Sequence, residues 1–221
     1  MIHFENLNKY YATKKGRFYV FKDVNISLPT DRNIAVLGPN GVGKSTLIRM
    51  MGGADMPNRG RIHSKKKISW PLGLQGGLQG SLSARENVRF VARIHGYKNT
   101  KVIEQQVEDF AEIGQFFDEP VKNYSSGMRS RITFGLTMGF DFDFDVLLID
   151  ELGAVGDANF RKKSEKLLLE KYEKTKLIMV NHSMPALKKF CDAGLLIHQQ
   201  NLVFFEKLDD AIKEYQDIYV R

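Results

Sequence analysis

The segment GPNGVGKS, residues 38–45, limits the possible folds of this chain more than any other feature of its sequence. It matches the pattern G-x-x-x-x-G-K-[ST], in which glycines let the backbone curl and point its N–H groups inward. The apolar run IAVL, residues 34–37, precedes the segment, and a helical pattern follows it. This order of strand, glycine loop and helix predicts a loop that holds the phosphates of a nucleoside triphosphate.

Two side chains at the end of this loop suit the same ligand. Lys44 would place a cation against the β- and γ-phosphates, and the Ser45 hydroxyl can ligate Mg²⁺. The helix that begins here adds the positive end of its dipole. The sequence therefore predicts ATP or a similar triphosphate, together with Mg²⁺, as the bound cofactors.

Acidic and imidazole side chains follow two later apolar runs. VLLIDE, residues 146–151, is an apolar strand pattern that ends in Asp150 and Glu151. Such a pair can simply open a helix, but beside a phosphate loop we expect Asp150 to hold Mg²⁺ and Glu151 to orient the attacking water. His182 follows the run LIMV and is either a polar turn residue or a sensor of the γ-phosphate.

The spacing of apolar runs predicts the fold class. Short continuous runs at residues 146–149 and 177–180, with a charged helical pattern between them, favour a parallel sheet covered by helices. In chain order, the patterns predict strands in residues 1–36, a helix in 44–53, a loop in 71–83, helices in 84–117 and 127–140, a strand pair in 194–205 and a final helix.

Composition narrows the function classes. No run reaches the roughly 18 apolar residues that a membrane helix needs, and the polar N-terminus does not resemble a signal peptide, so we expect a cytoplasmic protein. A single cysteine, Cys191, excludes an intrachain disulfide. The net charge of +7 is compatible with solvated loops, with nucleic-acid binding or with an anionic lipid surface, but no basic stripe with interleaved aromatics supports nucleic acid.

The stretch NYSSGMRSRITFG, which begins at Asn123, resembles the signature motif of ABC transporter ATPases. Ser125, Ser126, Gly127 and Met128 stand where the commonest form is S-G-G-Q. The resemblance covers nearly the whole chain and implies an α/β fold. It would be a P-loop NTPase core with a mixed sheet flanked by helices, an N-terminal antiparallel β part and a small inserted helical subdomain. Within a single domain over 1–221, residues 1–83 and 141–221 would form the core and about 84–140 the helical subdomain.

The resemblance also implies roles for individual residues. Tyr11, with Tyr10 as the alternative, looks like the aromatic residue that stacks on adenine, Asp157 like the aspartate that couples two sites, and His182 like the switch histidine. The family implies a homodimer in which each ATP lies between the phosphate loop of one copy and the signature of the other. The implied nucleotide-binding residues are Tyr11, Gly38, Pro39, Asn40, Gly41, Val42, Gly43, Lys44, Ser45, Thr46, Ser125, Ser126, Gly127, Met128 and Asp157, the catalytic residues Lys44, Glu151 and His182, and the metal ligands Ser45, Gln75 and Asp150.

Three departures from the family pattern affect these expectations. The family has a glutamine that touches Mg²⁺ and the membrane partner; here Gln75 is the first choice and Gln79 the second, because the spacing to LSAREN fits neither cleanly. DELGAVGD lacks the usual proline and serine after the glutamate, and Met128 replaces a glutamine. We expect hydrolysis to survive these changes, with an altered rate and coupling.

The stretches KGRFYVFKDVNISLP, KKKISWPLG and YSSGMRSR are similar to those of ATPases that export capsular polysaccharide from Gram-negative bacteria. This implies a peripheral subunit on the cytoplasmic side of the inner membrane. Its partners would be separate membrane permeases and, indirectly, a lipid-anchored glycan and envelope export proteins, with no nucleic acid. Related O-antigen ATPases often carry an extra carbohydrate-binding domain, which we do not expect here. The alternatives are an ABC transporter ATPase for another cargo (O-antigen, teichoic acid, lipid or drug) and an ABC ATPase that acts on ribosomes or DNA.

Overall fold

The computed structural model describes residues 1–72, 78–94, 96–139, 144–150, 158–172 and 175–220. The chain divides into two compact units. The first consists of Met1–Pro71, Asp143–Glu151 and Lys174–Arg221, and the second of Leu72–Phe142 and Leu152–Glu173. The domain boundaries inferred from the family resemblance stay a prediction.

A six-stranded sheet forms the centre of the first unit. Its strands lie in the order β5-β6-β7-β3-β8-β9. They are β3 (Ile34–Leu37), β5 (Ile68–Leu72), β6 (Val146–Asp150), β7 (Lys176–Val180), β8 (Ala193–His198) and β9 (Asn201–Phe205). The pairs β6–β7, β7–β3 and β3–β8 are parallel, whereas β8–β9 is antiparallel. The sheet is therefore mixed, as predicted.

The central strands are apolar along most of their length, since both of their faces are buried. Every residue of β3 and β6 is buried, as are the last four of β7. This is typical of strands inside a covered parallel sheet. The strands predicted at 146–149 and 177–180 are thus confirmed. The loop predicted at 71–83 begins later than expected, because Pro71 and Leu72 still belong to β5, an edge strand that tolerates proline.

A second, three-stranded sheet in the first unit contains β1 (Ile2–Thr13), β2 (Gly16–Leu28) and β4 (Arg59–Ser64), in the order β2-β1-β4. Both pairings are antiparallel, which confirms the N-terminal antiparallel part. Phe4, Leu7, Val24 and other side chains of this sheet share one buried apolar cluster with strands of the mixed sheet. The register of the β1–β2 hairpin shifts between Lys9 and Tyr10.

Three helices belong to the first unit: α1 (Lys44–Met51), α6 (Met184–Phe190) and α7 (Leu208–Tyr219). Leu47 and Ile48 of α1 are fully buried in the core. The sequence analysis did not predict α6, because seven residues are too few to show an apolar period. Its signal is local instead, since the Ser183 side chain accepts a hydrogen bond from the Ala186 N–H and Pro185 lies in the first turn.

The second unit is helical. It contains α2 (Ala84–Ile94), α3 (Lys101–Ala111), α4 (Ser126–Gly139) and α5 (Ala158–Tyr172), with 3-10 turns at Gly114–Asp118 and Val121–Asn123. Val88, Val107, Phe117 and Ile132 are fully buried in its core. Helix α2 opens with a capping box. The Ser83 N–H donates to Glu86 Oε2 at 2.8 Å and the Glu86 N–H donates to Ser83 Oγ at 3.1 Å.

Two arginines of α2 tie the helical unit together. Arg85 donates to Asp118 at 2.6 Å and to Glu108 at 2.9 Å, while Arg89 holds both oxygens of Glu104 at 2.9 and 3.1 Å. Glu104 is buried. The hydrogen bonds from Arg89 lower the pKa of Glu104 and outweigh its burial, which acts in the opposite direction. No helix in the described part of the chain is long and apolar enough to cross a membrane.

We predict that Glu104→Gln destabilises the protein by about 2 kcal/mol at pH 7, because Arg89 loses its charged acceptor. Since the folded pKa of Glu104 lies below its ordinary value of 4.5, this contribution is present above pH 4.5 and is lost as the pH falls through the lowered pKa. Urea denaturation at pH 7 and at the most acidic pH that preserves the fold should show the two proteins converging. Glu119→Gln, at an exposed carboxylate of the same unit, should change stability by less than about 0.5 kcal/mol. An equal loss at both pH values would contradict the assignment.

Candidate nucleotide-binding site

The phosphate loop lies at the carboxyl end of a central strand. Strand β3 ends at Leu37, between its neighbours β7 and β8, and helix α1 begins at Lys44. The carboxyl edge of a parallel sheet is where such folds bind ligands. The structure thus places the glycine segment at the position that the sequence predicts.

Two glycines of the loop lie too close to their neighbours to carry a side chain. A Cβ on Gly43 would lie 2.3 Å from Val20 Cγ1, and the residue has φ +117°. A Cβ on Gly38 would lie 2.8 Å from Val42 Cγ1 and 3.3 Å from the Ile197 carbonyl oxygen. The backbone of the loop is therefore packed directly against the surrounding strands, where only glycine fits.

Lys44 turns back along the loop. Its Nζ donates to the Gly38 carbonyl oxygen at 2.7 Å and to the Pro39 carbonyl oxygen at 3.0 Å. Both acceptors belong to the phosphate loop, so the ammonium group is held beside the loop backbone. A cation in this position lies next to the expected phosphates, as the motif predicts.

Ser45 and Asp150 meet across the sheet edge. The Ser45 hydroxyl donates to Asp150 Oδ1 at 3.2 Å, and Asp150 is only 3% exposed. Asp150 is the last residue of β6, and Ser45 lies in the first turn of α1. A hydroxyl and a carboxylate are the oxygen ligands that Mg²⁺ prefers in proteins. The described residues contain no group of three or more His, Cys, Asp or Glu side chains that could hold a metal ion.

His182 reaches the same edge of the sheet. It comes two residues after β7, whose Val180 pairs with Asp150 and whose Met179 pairs with Ala35 of β3. His182 is exposed, and the Asn181 side chain accepts the Ser183 N–H at 2.8 Å in the turn that carries it. The ends of β3, β6 and β7 therefore bring together the phosphate loop, Asp150 and His182.

Tyr11 lies on the side of the phosphate loop, whereas Tyr10 does not. The hydroxyl groups of Tyr11 and Thr46 are 3.4 Å apart, and Arg49 Nη2 donates to the same Thr46 oxygen at 3.3 Å. The Tyr10 ring instead packs against Tyr19. Of the two candidates for the adenine contact, the geometry favours Tyr11.

The signature residues open helix α4 in the second unit. The Ser125 hydroxyl accepts the Met128 N–H at 3.2 Å, and its carbonyl oxygen accepts the Arg129 N–H at 3.1 Å. Ser125 is therefore the N-cap, and Ser126, Gly127 and Met128 form the first turn. Both serines are exposed, so the helix terminus offers hydroxyl and N–H groups to an anion.

Three predicted site residues, Gln75, Glu151 and Asp157, lie outside the described part of the chain. Gln79 is described and exposed. Its backbone N–H donates to Asn87 Oδ1 at 2.7 Å and its side chain to Ser81 Oγ at 3.3 Å, which anchors it just before α2. The choice between the two glutamines stays open.

The sequence analysis missed two residues that shape the loop. These residues are Val20 and Phe21, which both approach Gly43. The Phe21 Cζ lies 3.3 Å from the position that a Cβ on Gly43 would take. Consecutive strand residues normally point to opposite faces, but here the register shift lies directly beside them. A bulge has no reliable signal in a single sequence, so the pattern RFYVF could not identify this contact.

Comparison with known proteins supports a nucleotide-binding function. The family model described as ABC transporter matches residues 21–153. The chain is 49% identical to the polysialic acid transport ATP-binding protein KpsT of Escherichia coli, over 98% of this chain and 96% of that one. It is 39% identical to the capsule polysaccharide export ATP-binding protein CtrD of Neisseria meningitidis serogroup B, over 99% and 100%.

Solved structures agree on the fold. The dimeric structure of a post-hydrolysis state of an ATP-binding cassette, bound to ADP and Pi, superposes with a TM-score of 0.76 at 21% identity, over 94% of this chain and 99% of that one. The predicted α/β fold class of the ABC ATPases is confirmed. Together with the family match and the nearly full-length relatives, this shows that the chain belongs to the ABC transporter family, as one of its ATP-binding ATPases.

Proposed function

We propose that this chain is the ATP-hydrolysing subunit of an ABC transporter that energises the export of capsular or related polysaccharide across the bacterial inner membrane. The ATPase part of this proposal rests on the contact of Ser45 with Asp150 at 3.2 Å. This contact joins the phosphate-loop helix to the acidic end of β6. The cargo rests on relatives named for polysialic acid transport and capsule polysaccharide export, which align over 98% and 99% of this chain.

The phosphate loop and Lys44 bind the triphosphate in this proposal. Lys44 exchanges the carbonyl oxygens of Gly38 and Pro39 for the β- and γ-phosphates. The first turn of α1 contributes its N–H groups and the positive end of its dipole. The ammonium group needs only a small movement, because it already lies beside the loop.

Ser45 and Asp150 would hold Mg²⁺, with Gln75 as the first choice and Gln79 as the second choice for a further ligand. When bound, Mg²⁺ supplies positive charge that neutralises the phosphate oxygens. Glu151 orients the attacking water, and His182 contacts the γ-phosphate from the turn after β7. Asp157 couples the two nucleotide sites of the assembled protein.

The proposed active form is a homodimer with two ATP molecules. Residues 125–128 of a second copy would cover each nucleotide with the exposed terminus of α4. The cap suits this role because Ser125 preorganises the first turn through the Met128 and Arg129 N–H groups. The two copies would therefore associate only when ATP is bound, because its phosphates supply the negative charge that the α4 terminus binds.

Membrane permeases are the second proposed partner. Phe90 and Ile94 lie one turn apart on α2 and are 58% and 63% exposed, whereas Val88 and Ala92 of the same helix are buried. Exposed apolar side chains at this spacing favour contact with another protein. We place the permease contact at this part of the helical unit. The chain then lies on the cytoplasmic side of the inner membrane, where its charge of +7 faces anionic lipid.

We predict that Asp150→Asn lowers Mg²⁺-dependent ATP hydrolysis on the order of 100-fold, because a neutral amide is a poorer ligand for a hard cation. Phosphate release measured across a Mg²⁺ titration tests this. Asp145→Asn is the matched control directly before the same strand, where Asp145 binds Lys66 at 2.8 Å. It should leave turnover within about twofold of the wild type. Wild-type turnover by the Asp150 variant would exclude it as a magnesium ligand.

We predict that Glu151→Gln binds ATP but hydrolyses it at under about 1% of the wild-type rate, because glutamine cannot accept the proton of the attacking water. The stalled protein should then accumulate as an ATP-bound dimer. Size-exclusion chromatography with ATP and with ADP measures this, and only ATP should shift the elution. Normal turnover in this variant would assign the role to another residue.

The cargo is tested in the bacterium that carries the gene. After disruption of the gene, we expect polysaccharide to disappear from the surface and to accumulate inside the cell. The wild-type chain should restore export, and Glu151→Gln should not. An unchanged surface polysaccharide would contradict the cargo assignment and leave O-antigen, teichoic acid, lipid or drug export as the alternatives, with the ATPase unaffected.

A further inference from the structure

Two exposed aromatic residues face each other near the tip of the β1–β2 hairpin. Tyr11 of β1 pairs directly with Phe18 of β2, and the two side chains are 42% and 58% exposed. Directly paired residues of an antiparallel ladder project from the same face, with Cβ atoms about 5 Å apart. Tyr11 and Phe18 therefore lie side by side on one exposed face of the hairpin, and no role described above explains Phe18.

The Tyr11 end of this pair lies beside the phosphate loop. The Tyr11 hydroxyl lies 3.4 Å from Thr46 Oγ1 in the first turn of α1. On the same hairpin, Val20 and Phe21 lie against the Cβ position of Gly43. The Tyr11 side of the hairpin thus adjoins the phosphate loop, and Phe18 extends it toward the hairpin tip.

The opposite face of the hairpin holds this pair in place. Tyr10 pairs with Tyr19, with ring centroids 5.2 Å apart, and the Arg17 guanidinium lies 4.6 Å from the Tyr10 centroid. A cation over an aromatic face and a cross-strand aromatic pair both stabilise a short hairpin. Tyr11 and Phe18 are consequently carried on a braced hairpin rather than on a free loop.

We propose that Phe18 is a nucleobase-binding residue that widens the Tyr11 surface into a two-ring platform and gives the site a preference for purines. The proposal rests on the nucleotide site proposed above, and Phe18 sets which base that site accepts. Stacking on aromatic side chains binds any base, so discrimination has to come from the area covered. A purine can cover both rings, whereas a pyrimidine covers about one. Phe18 should therefore add more to the affinity for ATP than to that for UTP.

Nucleotide binding measured without Mg²⁺ isolates the contribution of Phe18 to the affinity, because hydrolysis is then prevented. Isothermal titration calorimetry of the full chain would compare ATP, UTP and tripolyphosphate as ligands. For Phe18→Ala we expect the ATP affinity to fall roughly tenfold, the UTP affinity by less than about threefold, and the tripolyphosphate affinity not to change. Phe18→Trp should retain the ATP affinity. Phe116→Ala, the same change at an exposed phenylalanine of the helical unit, should match the wild type with all three ligands.

Two results would contradict the proposed role of Phe18 in nucleobase binding. One is an unchanged ATP affinity in Phe18→Ala. The other is an equal loss for ATP and tripolyphosphate, which would show that the substitution acts by distorting the phosphate loop. Lys44→Ala separates this proposal from the nucleotide site itself, since it should weaken all three ligands. If the Lys44→Ala variant binds all three ligands normally, the proposed phosphate site is wrong. The proposed role of Phe18 depends on that site and would then be wrong as well. If only Phe18→Ala behaves as wild type, the ATPase function stands.

Discussion

The close approach of the phosphate loop to the strands around it is the constraint on which the site depends. At Gly43 the loop backbone touches Val20 of the antiparallel sheet, and at Gly38 it lies near the Ile197 carbonyl of the mixed sheet. Interiors packed at this density transmit displacements rather than absorb them. A shift of the β1–β2 hairpin would therefore move the start of α1, and with it both Lys44 and Ser45. The hairpin that carries Tyr11 and Phe18 is in this way coupled to the phosphate loop.

Burial of Asp150 gives the second constraint. An ionised carboxylate that is 3% exposed loses most of its hydration, and a buried charge is tolerated only when hydrogen bonds or a cation compensate it. The Ser45 hydroxyl supplies one such hydrogen bond. A cation at the same oxygens would compensate the charge further, which is compatible with the magnesium ligand role proposed for Asp150. Asp145 carries the same group directly before the strand, where Lys66 compensates it directly.

The sequence predicted the parts of this structure that depend on period and on local motif. The buried runs of β6 and β7, the phosphate loop and the opening of α4 all have signals within about ten residues, because apolar burial and glycine conformation act locally. The bulge near Val20, the short helix α6 and the continuation of β5 through Pro71 lack such signals. Each of them depends on the strand or core beside it, which a single sequence does not show. The sequence analysis already preferred Tyr11 to Tyr10 from the family resemblance, and the 3.4 Å approach of the Tyr11 and Thr46 hydroxyls supports that preference.

The helix terminus at the signature explains why one departure from the family pattern is compatible with the fold. The Ser125 cap uses the backbone N–H of Met128, so the cap does not depend on which side chain stands there. The Met128 side chain packs instead against the apolar core of the helical unit, where a glutamine amide would need a polar partner. Methionine at position 128 therefore contributes apolar packing that secures the first turn of α4. Ser125 and Ser126 are exposed, so the proposed contact with a phosphate would use their hydroxyls and the N–H groups of the helix terminus. The charged network of Arg85 and Arg89 stabilises the helical unit that contains this terminus.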